Sequence, residues 1–140
     1  MSDTDELDIV FGASSAIGGA LIQRWQGEGL RPILAVTRSA NAISDIADLN
    51  RVQVETSDYT EAGLSALAAR LVSAQTNVTR LVVCNGVLQG DAYRPERALT
   101  QIDSAAMYTV FEVNTFLPMR VLSAMAPLLK TSAAPIVAAL

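Results

Sequence analysis

The chain lacks, or nearly lacks, several residue types on which whole classes of enzyme depend. It has no histidine, a single cysteine (Cys84), a single lysine (Lys130) and three tyrosines among its 140 residues. Without histidine a Ser-His-Asp triad is impossible, and a metal ion would have to be held by carboxylates. A lone cysteine cannot form an internal disulfide. The composition argues against triad hydrolases and zinc enzymes, and no metal site is predicted.

Basic charge and long apolar runs are also scarce. Lys and Arg number 10 against 14 Asp and Glu, which gives a net charge of -4 and an isoelectric point near 4.6. Such a chain repels a polyphosphate backbone, so nucleic acid is not expected as a partner. No apolar run reaches the roughly 18 residues of a membrane-spanning helix. The N-terminus MSDTDELD is acidic where a signal peptide would be basic. A cytoplasmic location without a membrane partner is expected.

The residues that are present fit one α/β domain over residues 1–140. A hydrophobic content of 51% is enough for a substantial core. Short apolar runs predict a strand at the start of residues 7–21 and further strands at 33–36, 52–54, 80–84 and 135–140. Residues 87–102 are polar and contain Gly90 and Pro95, which predicts a surface loop.

Between the predicted strands, apolar residues recur at helical spacing, which predicts four helices. The first helix should end at Gly27 and Gly29, and the last should run from Asp103 past Met125. The predicted buried positions are Ile17, Ala20, Leu21 and Trp25 in the first helix; Ile43, Ile46 and Ala47 in a brief second; Leu64, Leu67, Ala68, Leu71 and Val72 in the third; and Met107, Val110, Phe111, Leu117 and Val121 in the last.

The most informative stretch is residues 7–21, LDIVFGASSAIGGAL, in which a strand passes through a Gly/Ser-rich turn into a helix. Gly12 permits a tight turn, and Gly18, without a Cβ, lets the helix pack close to the strand. Backbone N–H groups and the positive end of a helix dipole then point at one place, which can bind phosphate. The candidate phosphate-binding residues are Gly12, Ser14, Ser15, Ala16, Ile17 and Gly18.

A second informative feature lies inside the last predicted helix, where Val113 and Asn114 are followed by Pro118. Proline has no N–H, and its ring crowds the carbonyl four residues earlier. The carbonyl of Asn114 is therefore left without a helical partner, and the helix should kink there.

The spacing of residues 12–18 resembles the Gly-x-x-x-Gly-x-Gly turn of the short-chain dehydrogenase/reductase family, which are NAD(P)-dependent oxidoreductases. Ala16 occupies the middle glycine position, which requires a negative φ there. Gly86 matches the glycine of the family's Asn-Asn-Ala-Gly element, and Asn85 falls in its alanine position, where it can equally be a turn residue. The resemblance implies a Rossmann-like, doubly wound parallel sheet with strand order 3-2-1-4-5.

The resemblance also implies roles for three further residues. Arg38, at the tip of the second strand, would pair with a 2′-phosphate and so favour NADP over NAD, although it could be a solvated surface arginine. Asp58 would meet the adenine amino group, and with Glu61 it also forms a potential capping box. Asn114 would be the Asn of the Asn-Ser-Tyr-Lys tetrad, which holds a water in a proton relay, or else a buried helical Asn that bonds a neighbouring loop.

The remaining tetrad members do not occur in the sequence. Four residues after Tyr59, Tyr93 and Tyr108 stand Gly63, Arg97 and Glu112, so no Tyr-x-x-x-Lys pair exists, and the catalytic Ser would follow residue 140. We expect this chain to be the cofactor-binding half of a family member, inactive alone. A dinucleotide-binding sensor or scaffold and a nonfunctional truncation are the alternatives. Self-association through the long helix or the edge of the fifth strand is also expected.

Overall fold

A computed structural model describes residues 6–47 and 49–140, except for the side chain of Ala47. Residues 1–5, to which most of the acidic N-terminal segment belongs, lie outside this range. The strands are β1 (Glu6–Phe11), β2 (Ile33–Thr37), β3 (Val52–Thr56), β4 (Asn77–Val83) and β5 (Ile136–Ala139). The helices are α1 (Ala16–Glu28), α2 (Ser44–Ala47), α3 (Glu61–Ser73), α4 (Ser104–Phe111) and α5 (Leu117–Thr131). A π-helical turn, the π turn (Glu112–Phe116), joins α4 to α5.

The five strands form one parallel sheet in the order β3-β2-β1-β4-β5, which confirms the predicted fold and topology. Helices α3 and α5 cover one face, and α1 and α2 cover the other. Residues of β1 alternate between the two faces, with Ile9 and Phe11 toward α3 and α5 and Val10 toward α1. Because both faces are buried, the central strands are continuously apolar. Each fully buried large apolar side chain contributes about 1.5–3 kcal/mol.

The predicted face of the first helix is partly wrong. Gly18, Ile22 and Trp25 are its buried residues, whereas Ile17 is 59% exposed. Gly18 must face inward because it packs against the turn that precedes the helix, and this sets the rotation of α1. The helix runs through Gly27 and ends at Gly29, which has a φ of +65°.

The predicted buried side of the last helix is also partly wrong, and the π turn explains why. Leu117 and Val121 are buried, but Met107 and Phe111 are 42% and 52% exposed. A π turn accommodates one extra residue, which shifts the helical phase by about 100°. The apolar residues before it and after it therefore do not share one face.

Two further observations concern the loop before α4 and the length of the helices. Residues 87–102 form the predicted loop, with one short 3₁₀ turn at Leu99–Gln101. In the described ranges, no helix combines the length and the apolar character needed to cross a bilayer.

Candidate functional site

The parallel strands end side by side, and we call the edge formed by their C-terminal ends the carboxyl edge. At this edge β1 continues into the glycine turn, residues 12–18, and Gly12 has a φ of +73°. A Cβ on Gly12 would lie 2.6 Å from the backbone nitrogen of Asn85 and 2.7 Å from the carbonyl carbon of Cys84. Gly12 is therefore required both by its backbone conformation and by the close approach of the chain after β4.

Gly18 brings α1 close to the same turn. A Cβ there would lie 2.4 Å from the carbonyl oxygen of Gly12. Ser15 caps the helix, because its hydroxyl accepts a 2.9 Å hydrogen bond from the N–H of Gly18. Ala16 is the first helical residue and is exposed, so its methyl group fits the backbone without strain.

Several backbone N–H groups of the described glycine turn make no hydrogen bond within the protein. Within the described part of the chain, the N–H groups of Ser14, Ala16 and Ile17 have no acceptor. They lie at the positive end of a helix of 13 residues. Unpaired amides at a helix N-terminus attract an anion, so this turn has the chemistry that a phosphate requires.

The second strand brings Arg38 to the carboxyl edge as predicted. Its guanidinium carbon lies 5.7 Å from the ring centroid of Tyr59. Beside it, between the end of β3 and α3, is an open groove of about 770 Å³. The groove is lined by Arg38, Glu55, Thr56, Ser57, Asp58, Gly63, Ala66, Leu67 and Arg70.

Asp58 lies in this groove, but the predicted capping box is wrong. Helix α3 is capped by Thr60, whose hydroxyl accepts a 3.1 Å hydrogen bond from the N–H of Gly63. Asp58 instead accepts hydrogen bonds from the N–H and the hydroxyl of Thr60, at 3.0 and 2.9 Å. These bonds, the backbone one first, hold the pKa of Asp58 below its usual value. The carboxylate is exposed and ionised, with acceptor capacity left for a ligand.

Tyr59 lies in the connection between β3 and α3, and the structure shows contacts of its side chain that the sequence does not predict. It is 2% exposed. Its hydroxyl accepts a 3.0 Å hydrogen bond from the N–H of Gly12 and donates one of 3.1 Å to the carbonyl of Val36. Burial raises its pKa, so the phenol is protonated at neutral pH. No periodicity marks a single tyrosine between a strand and a helix cap, so the sequence carried no signal for this contact.

The residues that follow β4, Cys84 to Gly86, also lie at the carboxyl edge. Asn85 has a buried side-chain oxygen without a hydrogen-bond partner in the described chain, which is a common sign of a missing ligand or water. Burial raises the pKa of the neighbouring Cys84 thiol. Gly86 is exposed, and a Cβ built on it would lie 3.6 Å from the side-chain oxygen of Asn114.

Asn114 lies in the π turn, so the predicted interruption of the helix is confirmed. Its amide group donates to the carbonyl of Val87 and accepts from the N–H of Val87, both at 2.7 Å. The side chain thus ties the segment after β4 to the π turn, so the predicted bond to a neighbouring loop is confirmed, but Asn114 is exposed rather than buried as predicted. Pro118 has no N–H to offer the main-chain carbonyl of Asn114. The proton-relay role stays a prediction.

The sequence matches no protein-family model and no curated protein. Solved structures do match. A short-chain dehydrogenase from Streptomyces avermitilis has a TM-score of 0.77 and 21% identity, over 96% of this chain and 48% of that one. An oxidoreductase of the short-chain dehydrogenase/reductase family from Burkholderia thailandensis has a TM-score of 0.76 and 21% identity, over 97% and 51%.

A short-chain dehydrogenase/reductase from Saccharomyces cerevisiae has a TM-score of 0.75 and 21% identity, over 95% of this chain and 52% of that one. At this identity the likeness concerns the fold. The chain spans about half the length of the solved structures that it matches. It has the fold of short-chain dehydrogenases/reductases over that half.

Proposed function

We propose that residues 1–140 form one NAD(P)-binding domain, which binds NADP at the carboxyl edge and serves a short-chain oxidoreductase. The observation that carries this proposal is the glycine turn at the end of the middle strand β1, with the unpaired N–H groups of Ser14, Ala16 and Ile17. In doubly wound sheets ligands bind outside the carboxyl ends of the strands, where the strand order reverses. Here that point lies between β1 and β4.

The residues at this edge fit a dinucleotide in several independent ways. Gly12 and Gly18 leave space that a Cβ would fill. The helix N-terminus offers donors to a pyrophosphate, with the hydroxyls of Ser14 and Ser15 beside them. The exposed carboxylate of Asp58 can accept hydrogen bonds from an adenosine.

Arg38 supports the choice of NADP over NAD. It makes no salt bridge within the described ranges, so its charge is available to a ligand. A guanidinium binds a phosphate through two parallel hydrogen bonds, whereas a free ribose hydroxyl is better matched by an acid. The contact with the Tyr59 ring restricts where the guanidinium can lie.

The proposed reaction class is hydride transfer between a carbonyl and an alcohol, with the hydride carried by the nicotinamide. In this proposal the main-chain carbonyl of Asn114 holds a water for proton transfer, and Gly86 lets the chain approach the cofactor closely. No Tyr-x-x-x-Lys pair is present in the 140 residues to donate a proton to the alkoxide. The chain alone is therefore proposed to bind NADP without turning it over.

The absence of this pair also favours a second candidate, a dinucleotide-binding sensor or scaffold that performs no reaction. The two candidates differ in what a complementing polypeptide should do. Carbonyl reduction after addition of a segment that carries Ser and Tyr-x-x-x-Lys supports the oxidoreductase. Binding without reduction in that mixture supports the sensor.

Titration of the intact chain with NADPH and NADH, followed by nicotinamide fluorescence, tests the cofactor proposal. We expect tighter binding of NADPH, and Arg38→Ala should weaken it by about tenfold to a hundredfold with little change for NADH. Arg24→Ala is the matched control, because Arg24 is 80% exposed on α1. Equal affinities for the two dinucleotides would overturn the choice of NADP. Failure to bind either one would overturn the whole proposal.

A second copy of the chain is the proposed protein partner. Strand β5 is at the edge of the sheet, and Ile136 and Val137 in it are 65% and 41% exposed. Phe116 and Met119, at the start of α5, are also exposed. An unpaired apolar edge is a template for pairing with another strand. Sedimentation velocity should show concentration-dependent association, and a monodisperse monomer would contradict it.

A further inference from the structure

Tyr59 is placed unusually for a residue in a short connection. It has a φ of +58°, the left-handed region, although it is not glycine, and yet its ring is almost fully buried. Such a backbone conformation costs about 1–3 kcal/mol and persists only where the surroundings require it. The contacts of the side chain show what this conformation achieves.

The hydroxyl of Tyr59 joins the ends of the central strands. It accepts from the N–H of Gly12, the first residue after β1, and donates to the carbonyl of Val36 near the end of β2. The ring packs edge-on against Phe11 at a centroid distance of 6.2 Å. The side chain of Asn85, which follows β4, lies beside the hydroxyl. A single side chain thus contacts the C-terminal ends of three strands.

Within the described residues, this hydroxyl is the only acceptor bonded to the N–H of Gly12. Phe11, the last residue of β1, is apolar, so it cannot satisfy a backbone donor. Without Tyr59 the buried N–H of Gly12 would lose its acceptor, and a turn with φ of +73° would lose its anchor. An orphaned buried donor costs about 1–3 kcal/mol, which the turn can avoid by changing conformation.

The ring has a second contact at the same site. The guanidinium of Arg38 lies over it, at 5.7 Å from the centroid. The hydroxyl therefore holds the turn that faces a pyrophosphate, and the ring supports the arginine that faces a 2′-phosphate. These two contributions can be separated by substitution.

We propose that Tyr59 is a positioning residue for dinucleotide binding, whose hydroxyl fixes the glycine turn and whose ring fixes Arg38. This inference rests on the proposed function. It assigns Tyr59 a role that does not involve contact with the reacting atoms.

The test uses two variants of the full chain, Tyr59→Phe and Tyr59→Leu, titrated with NADPH and NADH. Tyr59→Phe keeps the ring and removes the hydroxyl, so it should weaken both dinucleotides by the same factor, about tenfold. Tyr59→Leu also removes the ring, so it should weaken NADPH further and reduce the preference for NADPH over NADH. A purely structural role would not change this preference.

Ser132→Ala is the matched control for a bridging hydroxyl. The Ser132 hydroxyl accepts from the N–H of Val78 at 2.9 Å and donates to the carbonyl of Leu128 at 3.0 Å, at the opposite end of β4. Loss of the Ser132 hydroxyl should lower the unfolding midpoint, as Tyr59→Phe does. Unlike Tyr59→Phe, it should leave the affinity for both dinucleotides unchanged.

Three results would count against these assignments, and they are distinguishable. If the wild-type chain binds and Tyr59→Phe binds equally well, the role of Tyr59 is overturned and the proposed function stands. If Ser132→Ala weakens binding as much as Tyr59→Phe, loss of stability explains both, and the positioning role is overturned. If the wild-type chain binds neither dinucleotide, both proposals are overturned. Should Tyr59→Leu not fold, Tyr59→Phe still decides the role of the hydroxyl, and Tyr59→Met, which also removes the ring, tests the contact with Arg38 in its place.

Discussion

The arginine side chains at the two ends of the sheet differ in whether they have carboxylate partners. Toward the amino edge, formed by the N-terminal ends of the strands, Arg80 lies between the carboxylates of Asp8 and Glu28, with its guanidinium carbon 4.0 Å from the Trp25 ring centroid. At the carboxyl edge Arg38 also lies over an aromatic ring, but within the described ranges it has no carboxylate partner.

The comparison separates charges that stabilise the fold from charges that are available to a ligand. Asp8 is completely buried, and a buried carboxylate is tolerated only when a cation accompanies it. Arg38 is exposed, and nothing in the fold requires its charge. Substitution of Arg80 should therefore change stability, and substitution of Arg38 should change binding.

The largest effect on binding is expected at Gly12. In Gly12→Ala the new methyl group would lie 2.6 Å from the backbone nitrogen of Asn85, on a backbone that disfavours it. We expect the affinity for NADPH to fall by about a hundredfold or more, measured by fluorescence titration. Gly27→Ala is the control, because no atom lies within 4 Å of its added Cβ, and it should raise stability by about 0.5–1 kcal/mol. Retention of near-normal affinity in Gly12→Ala would contradict the geometry of the turn.

The largest effect on stability is expected at the amino edge. Arg80→Ala leaves the buried Asp8 without its cation, so the free energy of unfolding in urea should fall by about 3–5 kcal/mol. Binding by the folded fraction should be unchanged. Arg24→Ala, which removes an exposed pair with Glu28, should cost less than about 0.5 kcal/mol.

A double variant sharpens this prediction. Asp8→Leu with Arg80→Met removes both charges, so it should be less destabilised than Arg80→Ala alone. If the double variant loses more stability than the single one, the loss comes from packing rather than from the orphaned charge.

A smaller effect is expected for Asn114→Ala, which removes two 2.7 Å hydrogen bonds with the backbone of Val87. Because this contact is exposed, the loss of stability should be about 1 kcal/mol. Hydrogen exchange at the Val87 amide should become faster, as measured by NMR. Asn41→Ala, at an exposed position, should leave this exchange rate unchanged, and an equal change in both variants would contradict the role of Asn114.

The smallest effect concerns alkaline pH. Burial raises the pKa of Tyr59 above its unfolded value of about 10. Above that pH the unfolded chain releases the Tyr59 proton while the folded chain retains it, so stability falls as pH rises toward the folded pKa. The stability difference between wild type and Tyr59→Phe should therefore shrink above about pH 10 in urea titrations. A stability difference that stays constant across this pH range would contradict the burial of the phenol.

The strands could be predicted because their signals are local, and their order followed from the resemblance to short-chain dehydrogenases/reductases. Apolar runs marked the strands, and Gly12 and Gly18 marked the turn, where the structure shows close backbone contacts. Asn114 with Pro118 marked the interruption of the last helix, because the missing N–H of proline acts within one turn.

What could not be predicted depends on contacts between distant residues. The bond from Gly12 to Tyr59 spans 47 positions, and no local pattern encodes it. The cap of α3 differs from the prediction because Asp58 and Thr60 are both good capping residues, and a helix capped by Asp58 would have to include Tyr59, whose φ of +58° is not helical. The rotation of α1 was missed because glycine carries no hydrophobic signal, although Gly18 is buried.

The π turn has a consequence for how insertions and deletions would act on this chain. Because it holds one residue more than an α-helical turn, removal of a single residue from Glu112–Phe116 should restore the α-helical phase between α4 and α5, while Pro118 still leaves one carbonyl without a helical donor. The aromatic side chains of Tyr108 and Phe111 would then be rotated by about 100° relative to Val121 and Met125, which face the sheet. A one-residue length change here would alter which surface α4 presents, while the sheet stayed intact.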